Sequence, residues 1–305
     1  SAVSSSTDAI PSSGLEYSAA TGLLYAAEWD AGVDGAVFLS IDLVSGWVSR
    51  LGVIPGVAYV LENSAMSGTD YYAIMADASK VKKLVHVSVA GGGFSAAVKD
   101  IDTTGVGGGS DAIPSSVLDF SAATGLLYAY EWDAGASEVA FLSVNPATGK
   151  LRWLGVISGI AYGLMNGAMS GTDYYAIMAD ASKVKKLVHV SVAGGGFSAA
   201  VKDIDTTGVG GGSDAIPSSV LDFSAATGLL YAYEWDAGAS EVAFLSVNPA
   251  TGKLRRLGAV VGAAYMHGDG AMSGTSYCAI LADASLAKQL VSAPTGDPSP
   301  PALPP

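Results

Sequence analysis

The triplet Glu-Trp-Asp occurs three times in this 305-residue chain: Glu28, Trp29 and Asp30; Glu131, Trp132 and Asp133; Glu234, Trp235 and Asp236. An indole beside carboxylates is a pairing that stacks on a sugar ring and hydrogen-bonds its hydroxyls. On a strand the two carboxylates of each triplet, two positions apart, share a face. A solvated strand end shows the same alternation, and a Trp at a strand end serves equally to pack neighbouring sheets, so both readings stand at this point. Asp30, Asp133 and Asp236 could each ligate Ca2+, although no D-x-D-x-D-G loop surrounds them. No Ser/His/Asp arrangement is evident, and the glycine run "GVGGGS" precedes no predicted helix, unlike a phosphate-binding loop. His86, His189 and His267 are scattered and lack zinc-ligand spacing beside the single Cys278. That cysteine has no internal disulfide partner and reads as a small buried hydrophobe.

What positions the triplets is a repeat. Residues 110–152 recur letter for letter as 213–255, and 65–109 as 168–212, so the period is 103 residues. Three copies follow, residues 7–109, 110–212 and 213–294. Within each copy the first half ("VLDFS AATG LLYAYEWD AGAS EVAFLSVNP ATG KLRWLG") and the second half ("GLMNGAMS GTD YYAIMAD ASKV KKLVHVSVA GGG FSAAVKDID") give the same series: strand, tight turn, strand, longer loop, strand, tight turn, strand. The chain therefore reads as six four-stranded antiparallel meanders of about 50 residues, the sequence mark of a β-propeller. A lone meander cannot cover both of its faces, whereas neighbours packed against it can. The expected class is all-β, a six-bladed propeller over residues 1–294 with a Pro-rich tail or linker at 295–305. Three immunoglobulin-like sandwiches would fit the period, but they lack the Cys/Trp/Cys set and leave the half-repeat unexplained.

The run "LYA" followed by "LSVNPATGKLRWLG" resembles blades of the six-bladed superfamily of NHL, TolB-like and SMP-30-like domains. The resemblance covers most of the chain and is a blade-level signature. In catalytic members of the lactonase kind, it implies a metal held at the axis by Asn, Asp, Glu and His from different blades. Such a site is asymmetric, whereas this chain offers the same few carboxylates three times and no His in those loops. The loops "EWDAGASE" and "ADASKVKK", with "GGGSDAIPSS" and "VISGIAYG", are expected on one functional face. The small clusters such as Lys80, Lys82 and Lys83, beside Asp77, read as a solvated loop.

The third copy turns into "PTGDPSPPALPP" where the others continue to a fourth strand. Residues 1–6 are expected to supply that strand, closing the last blade of their own molecule or a neighbour's. The tail reads as extended polyproline II and resembles Ser-Pro-Pro modules of hydroxyproline-rich cell-surface glycoproteins of green algae and plants. That resemblance implies hydroxylated, O-glycosylated prolines, with Pro298, Pro300, Pro301, Pro304 and Pro305 as candidates. There is no Asn-x-Ser/Thr sequon.

Half of the residues are apolar, 14% are charged, and the formal net charge is −13. The acidic balance excludes nucleic-acid and anionic-membrane surfaces as partners, and no unbroken apolar run is long enough to span a bilayer. The expectation is a non-catalytic extracellular or cell-surface module, a repeating unit of a glycosylated filament or wall layer. Its partners would be itself, other surface glycoproteins, or glycans. The alternatives are a multivalent lectin-like propeller and a metal-dependent hydrolase.

Overall fold

The computed structural model describes residues 14–61, 63–107, 112–114, 117–133, 138–164, 166–210, 215–217, 221–236, 241–260 and 262–295; the side chains of 133 and 266–269 fall outside it. The candidate prolines of the tail and residues 1–6 also lie outside the described residues. The fold is all-β. Six antiparallel sheets, each a meander in chain order, make it a six-bladed β-propeller.

The first sheet is β1 (Glu16–Ser18), β2 (Leu23–Asp30), β3 (Gly35–Asp42) and β4 (Val48–Val53). The second is β5 (Ser64–Ser67), β6 (Asp70–Ala76), β7 (Lys82–Ser88) and β8 (Ser95–Asp100). The third is β9 (Asp119–Ser121), β10 (Leu126–Asp133), β11 (Glu138–Val144) and β12 (Leu151–Val156). The fourth adds a short strand, β13 (Tyr162–Gly163), to β14 (Ala168–Ser170), β15 (Asp173–Ala179), β16 (Lys185–Ser191) and β17 (Ser198–Asp203). The fifth is β18 (Asp222–Ser224), β19 (Leu229–Asp236), β20 (Glu241–Val247) and β21 (Leu254–Val260). The sixth has three strands among the described residues: β22 (Tyr265–Ser273), β23 (Ser276–Ala282) and β24 (Lys288–Pro294). The 103-residue period sets residues 1–6 against 104–109, which come after β8 rather than within it.

Local sequence explains the meander. β6 follows β5 through the two residues Gly68 and Thr69, with Ser67 paired to Asp70 and Gly68 at φ +61°, as a tight hairpin requires. β3 is buried along nearly its whole length on both faces, whereas the outer strand β8 of the second sheet is largely exposed.

The chain forms two compact units, residues 1–131 with 141–154 and residues 132–140 with 155–305. In the first, Tyr25 and Phe38 of one sheet pack against Tyr71, Met75 and Val85 of the next. The opposite face of that second sheet, Ile74 and Leu84, meets Leu118, Leu127 and Leu142. In the other unit, Ile177 and Leu187 meet Leu230 and Leu245, and Tyr231 and Phe244 meet Tyr277 and Val291. Each such fully buried side chain contributes roughly 1.5–3 kcal/mol. Packing is close enough that a Cβ on Gly52 would lie 2.3 Å from the Phe94 ring, and one on Gly155 would lie 2.4 Å from Phe197.

Two polar details brace the sheets. Asn63 is fully buried and its Oδ1 accepts the Ile74 N–H at 3.2 Å, as Asn166 does for Ile177 at 2.6 Å. The lysine cluster is not simply solvated: Lys83 Nζ lies 2.6 Å from Asp100 and 3.4 Å from Asp77, and Lys82 donates to the Ile113 carbonyl. The loop brings these ammonium groups back against the sheet edge, where acceptors outcompete water. Cys278 is buried, and burial pushes its thiol pKa up.

Candidate ligand-binding clefts

Alternation along β2 divides the first Glu-Trp-Asp triplet. Tyr25 and Ala27 pack toward the second sheet, and Trp29 continues that face. There its ring lies nearly parallel to Tyr59, centroids 6.5 Å apart and planes 15° from parallel. Tyr59 is held by a backbone bridge to Ala76 at the end of β6. Both rings remain open to solvent, Trp29 at 39% and Tyr59 at 45%. A cleft of about 1060 Å3 opens over them, lined also by Glu28, Asp34, Asp77 and Ser79.

Asp30 points the other way. Its Oδ2 accepts from Arg50 Nη1 of β4 at 2.6 Å. Asp236 is bound in the same manner by Arg256 at 2.7 Å, and Arg256 also contacts Glu241. A guanidinium thus already occupies the cation position beside these two carboxylates, and they do not fit a Ca2+ site. Among the described residues, no group of three His, Cys, Asp or Glu side chains is placed to hold a metal ion.

The second copy repeats the ring pair. Trp132 stacks on Tyr162 with centroids 5.8 Å apart and planes 18° from parallel, and Tyr162 is anchored by β13 pairing with Ala179. Glu131 is half-buried beside Trp132, and the side chain of Asp133 lies outside the description. Arg50 and Arg256 correspond to Trp153 here, so this copy lacks that arginine.

In the third copy Trp235 packs partly buried on the Tyr231 and Phe244 cluster. On the Asp236 and Arg256 side, toward Val209, Ala243 and Leu245, a separate small cavity measures about 10 Å3. The three triplets therefore sit in unequal surroundings. In the first both rings are exposed, in the second a half-buried Trp132 meets an exposed Tyr162, and in the third Trp235 is half-buried while Tyr265 is exposed.

Tyr59 and Tyr162 were not among the residues expected from sequence. The signal that could have found them is an aromatic recurring thirty positions after each Trp, at Tyr59, Tyr162 and Tyr265.

No protein-family profile matches the chain, and no curated protein sequence matches it. Solved structures share its architecture. YjhT superposes with a TM-score of 0.59 at 9% identity, over 93% of this chain and 94% of that one. A candidate 6-phosphogluconolactonase from Bacteroides uniformis gives 0.51 at 17% identity, over 92% and 83%. TolB from Acinetobacter baumannii gives 0.51 at 7% identity over 79% of this chain, which spans 55% of the TolB chain. These likenesses establish the propeller fold, with TolB-like and lactonase-like neighbours.

Proposed function

We propose that the chain is a non-catalytic interaction module displayed outside the cell, and that its stacked Trp–Tyr pairs bind saccharide chains. The observation that carries this reading is the exposed stack of Trp29 on Tyr59 over the first cleft, with the stack of a half-buried Trp132 on an exposed Tyr162 built by the same repeat position. Aromatic faces attract the C–H faces of pyranose rings, and Glu28, Asp34 and Ser79 at the first cleft supply acceptors and a donor for hydroxyls. Two shallow sites on one molecule favour polymeric or clustered glycans, because avidity multiplies a weak single-site affinity. Surface glycoproteins carry such chains, which gives the module its partners.

The reading is tested by glycan-array binding followed by calorimetry on any hit, with Trp29→Ala, Tyr59→Ala and Trp132→Ala. Each single variant should weaken binding of a multivalent glycan by about tenfold or more, and the Trp29/Trp132 double variant should abolish it. A hit whose affinity ignores all three changes, or an array with no specific hit, would overturn the reading.

A further inference from the structure

The hairpin that ends the third sheet gathers positive charge in an acidic chain. Lys150 and Arg152 stand at the start of β12 and, two positions apart, share one side of the strand. Both are exposed. Lys99 brings a third cation to the same turn, its Nζ donating to the Ala147 carbonyl at 2.8 Å and to the Pro146 carbonyl at 3.2 Å. The carboxylates nearby are already engaged. Asp100 is held by Lys83 at 2.6 Å. Asp102 accepts from the Thr104 N–H at 2.9 Å, and Thr104, with Lys150 adding to it, keeps the Asp102 carboxyl below its ordinary pKa. Among the described residues the ion-paired arginines are Arg50 and Arg256, and Arg152 is not one of them.

Lys150 and Arg152 line a cavity of about 610 Å3 together with Trp153, Asn145, Thr148 and Thr104, a size that suits a small ligand. A parallel bridge between Asp102 and Lys150 fixes the chain that brings Thr104 there. Trp153 is 38% exposed and by alternation lies on the opposite side of β12 from Arg152. β12 is the outermost strand of its sheet, so a cavity that touches both side chains reaches around the strand's free edge. An occupant there meets an indole face, a guanidinium, an ammonium, and the hydroxyl and amide groups of Thr104, Thr148 and Asn145. A guanidinium binds a carboxylate through two parallel N–H···O bonds, and an indole takes the C–H face of a sugar ring. A sugar that carries a carboxylate uses every one of these groups.

The other copies lack the combination. In the first, Asp42, Trp47, Ser49 and Arg50 replace Asn145, Lys150, Arg152 and Trp153, and Arg50 is drawn to Asp30. The third keeps Lys253 and Arg255 but has Arg256 in place of Trp153, drawn to Asp236. The net charge of −13 does not forbid an acidic guest in the second copy. Charges beyond about 8 Å are largely screened at physiological ionic strength, so the cations lining the cleft decide.

We propose that this cleft binds a uronic-acid unit of an acidic saccharide, its carboxylate on Arg152 and Lys150 and its ring on Trp153. The site shares no residue with the Trp–Tyr pairs and stands without them.

Calorimetry with a short oligogalacturonate and with its fully methyl-esterified form tests it. The proteins are the full chain, Arg152→Ser, Trp153→Ala, Arg255→Ser and the Trp29→Ala/Trp132→Ala double variant. Arg152→Ser installs the residue that the first copy carries at an exposed position, so it should fold, as an unchanged circular dichroism melt would show. The acid form should bind, more weakly as salt is added, and the ester should not. Arg152→Ser and Trp153→Ala should each weaken binding by about tenfold or more. Arg255→Ser and the double variant should bind as the full chain does, which separates this site from the Trp–Tyr pairs. Absence of binding to the acid form, equal binding of the ester, or an Arg152→Ser variant that binds like the full chain would overturn the proposal. So would an equal loss in Arg255→Ser, or loss of binding in the double variant.

Discussion

The Tyr72 ring lies over the His86 imidazole, centroids 4.9 Å apart and planes 14° from parallel, while Asp70 Oδ1 sits 2.7 Å from His86 Nε2. Phe120 of the neighbouring sheet stacks on Tyr72 at 5.9 Å, so a column of rings crosses the seam between two sheets. Asp173, Tyr175, His189 and Phe223 repeat it. In the third copy Asp, Tyr and His are replaced together by Ser276, Cys278 and Ser292, and the thiol contacts Ser292 Oγ at 3.6 Å.

Because these residues act as one column, their substitutions should not add. Tyr72→Ala should destabilise the protein by about 2 kcal/mol through lost packing. The triple change to Ser, Cys and Ser at positions 70, 72 and 86 should cost less than the sum of its parts, by about 0.5–3 kcal/mol. Denaturant unfolding of the single and triple variants measures the difference, and strict additivity would show that the column is not a unit.

Gly52 should not tolerate a methyl group. The Phe94 ring fills the space where its Cβ would stand, and the ring is packed on the Phe38 cluster and cannot swing away freely. Gly52→Ala should therefore cost about 1–3 kcal/mol. Pairing it with Phe94→Leu should recover part of the loss, as read by the shift in unfolding midpoint.

The brace of Asp77, Lys83 and Asp100 sets a pH window. Hydrogen bonds, led by the Val81 N–H, hold the Asp77 carboxyl below its ordinary 3.8. The Asp100 carboxylate, through its hydrogen bond, holds Lys83 above 10.5. A depressed carboxyl contributes stability above its unfolded pKa that disappears as pH falls through the folded value. A raised ammonium contributes stability below its unfolded pKa that disappears as pH rises through the folded one. The loop should thus stay intact from about pH 4 to pH 10 and loosen outside that range. Carbon-detected NMR titration of the Asp77 carboxyl should give a midpoint below that of an unstructured peptide, and an unshifted midpoint would contradict the geometry.

Cys278 should resist thiol reagents in the native state. It is fully buried and burial raises its pKa, so thiolate is scarce and access is blocked. Labelling with a disulfide reagent at neutral pH should proceed only as the sheet β22–β24 opens, and should become fast in denaturant.

The meanders were legible because the period recurs with few changes and several turns carry a glycine: the hairpin at Gly68 and its copy at Gly171 could be placed from sequence alone. The aromatic column was not, since Tyr72, His86 and Phe120 come from three strands and two sheets, and no linear spacing marks them. The triplet's division was readable in principle, because alternation sends Trp29 and Asp30 to opposite faces. Its consequence needed Arg50, twenty residues away, and Tyr59, thirty away, which only pairing brings near. Lys83 misled for a related reason: a lysine in a short charged loop looks solvated until the fourth strand returns with Asp100.

β8 and β17 carry the same six residues, SAAVKD, and meet β7 and β16, which are also identical in sequence. A half-folded chain therefore offers each of these strands two equivalent addresses, and side chains cannot tell them apart. What distinguishes them is the length of the loop that must close, residues 89–94 for the native pairing of β7 against residues 89–197 for the wrong one. Chain entropy favours the short loop by about 2.5 kcal/mol. That margin is enough to direct most molecules correctly. It still leaves a minority, on the order of one or two in a hundred, to begin refolding in a trapped, strand-exchanged form whose escape requires unzipping a well-made sheet.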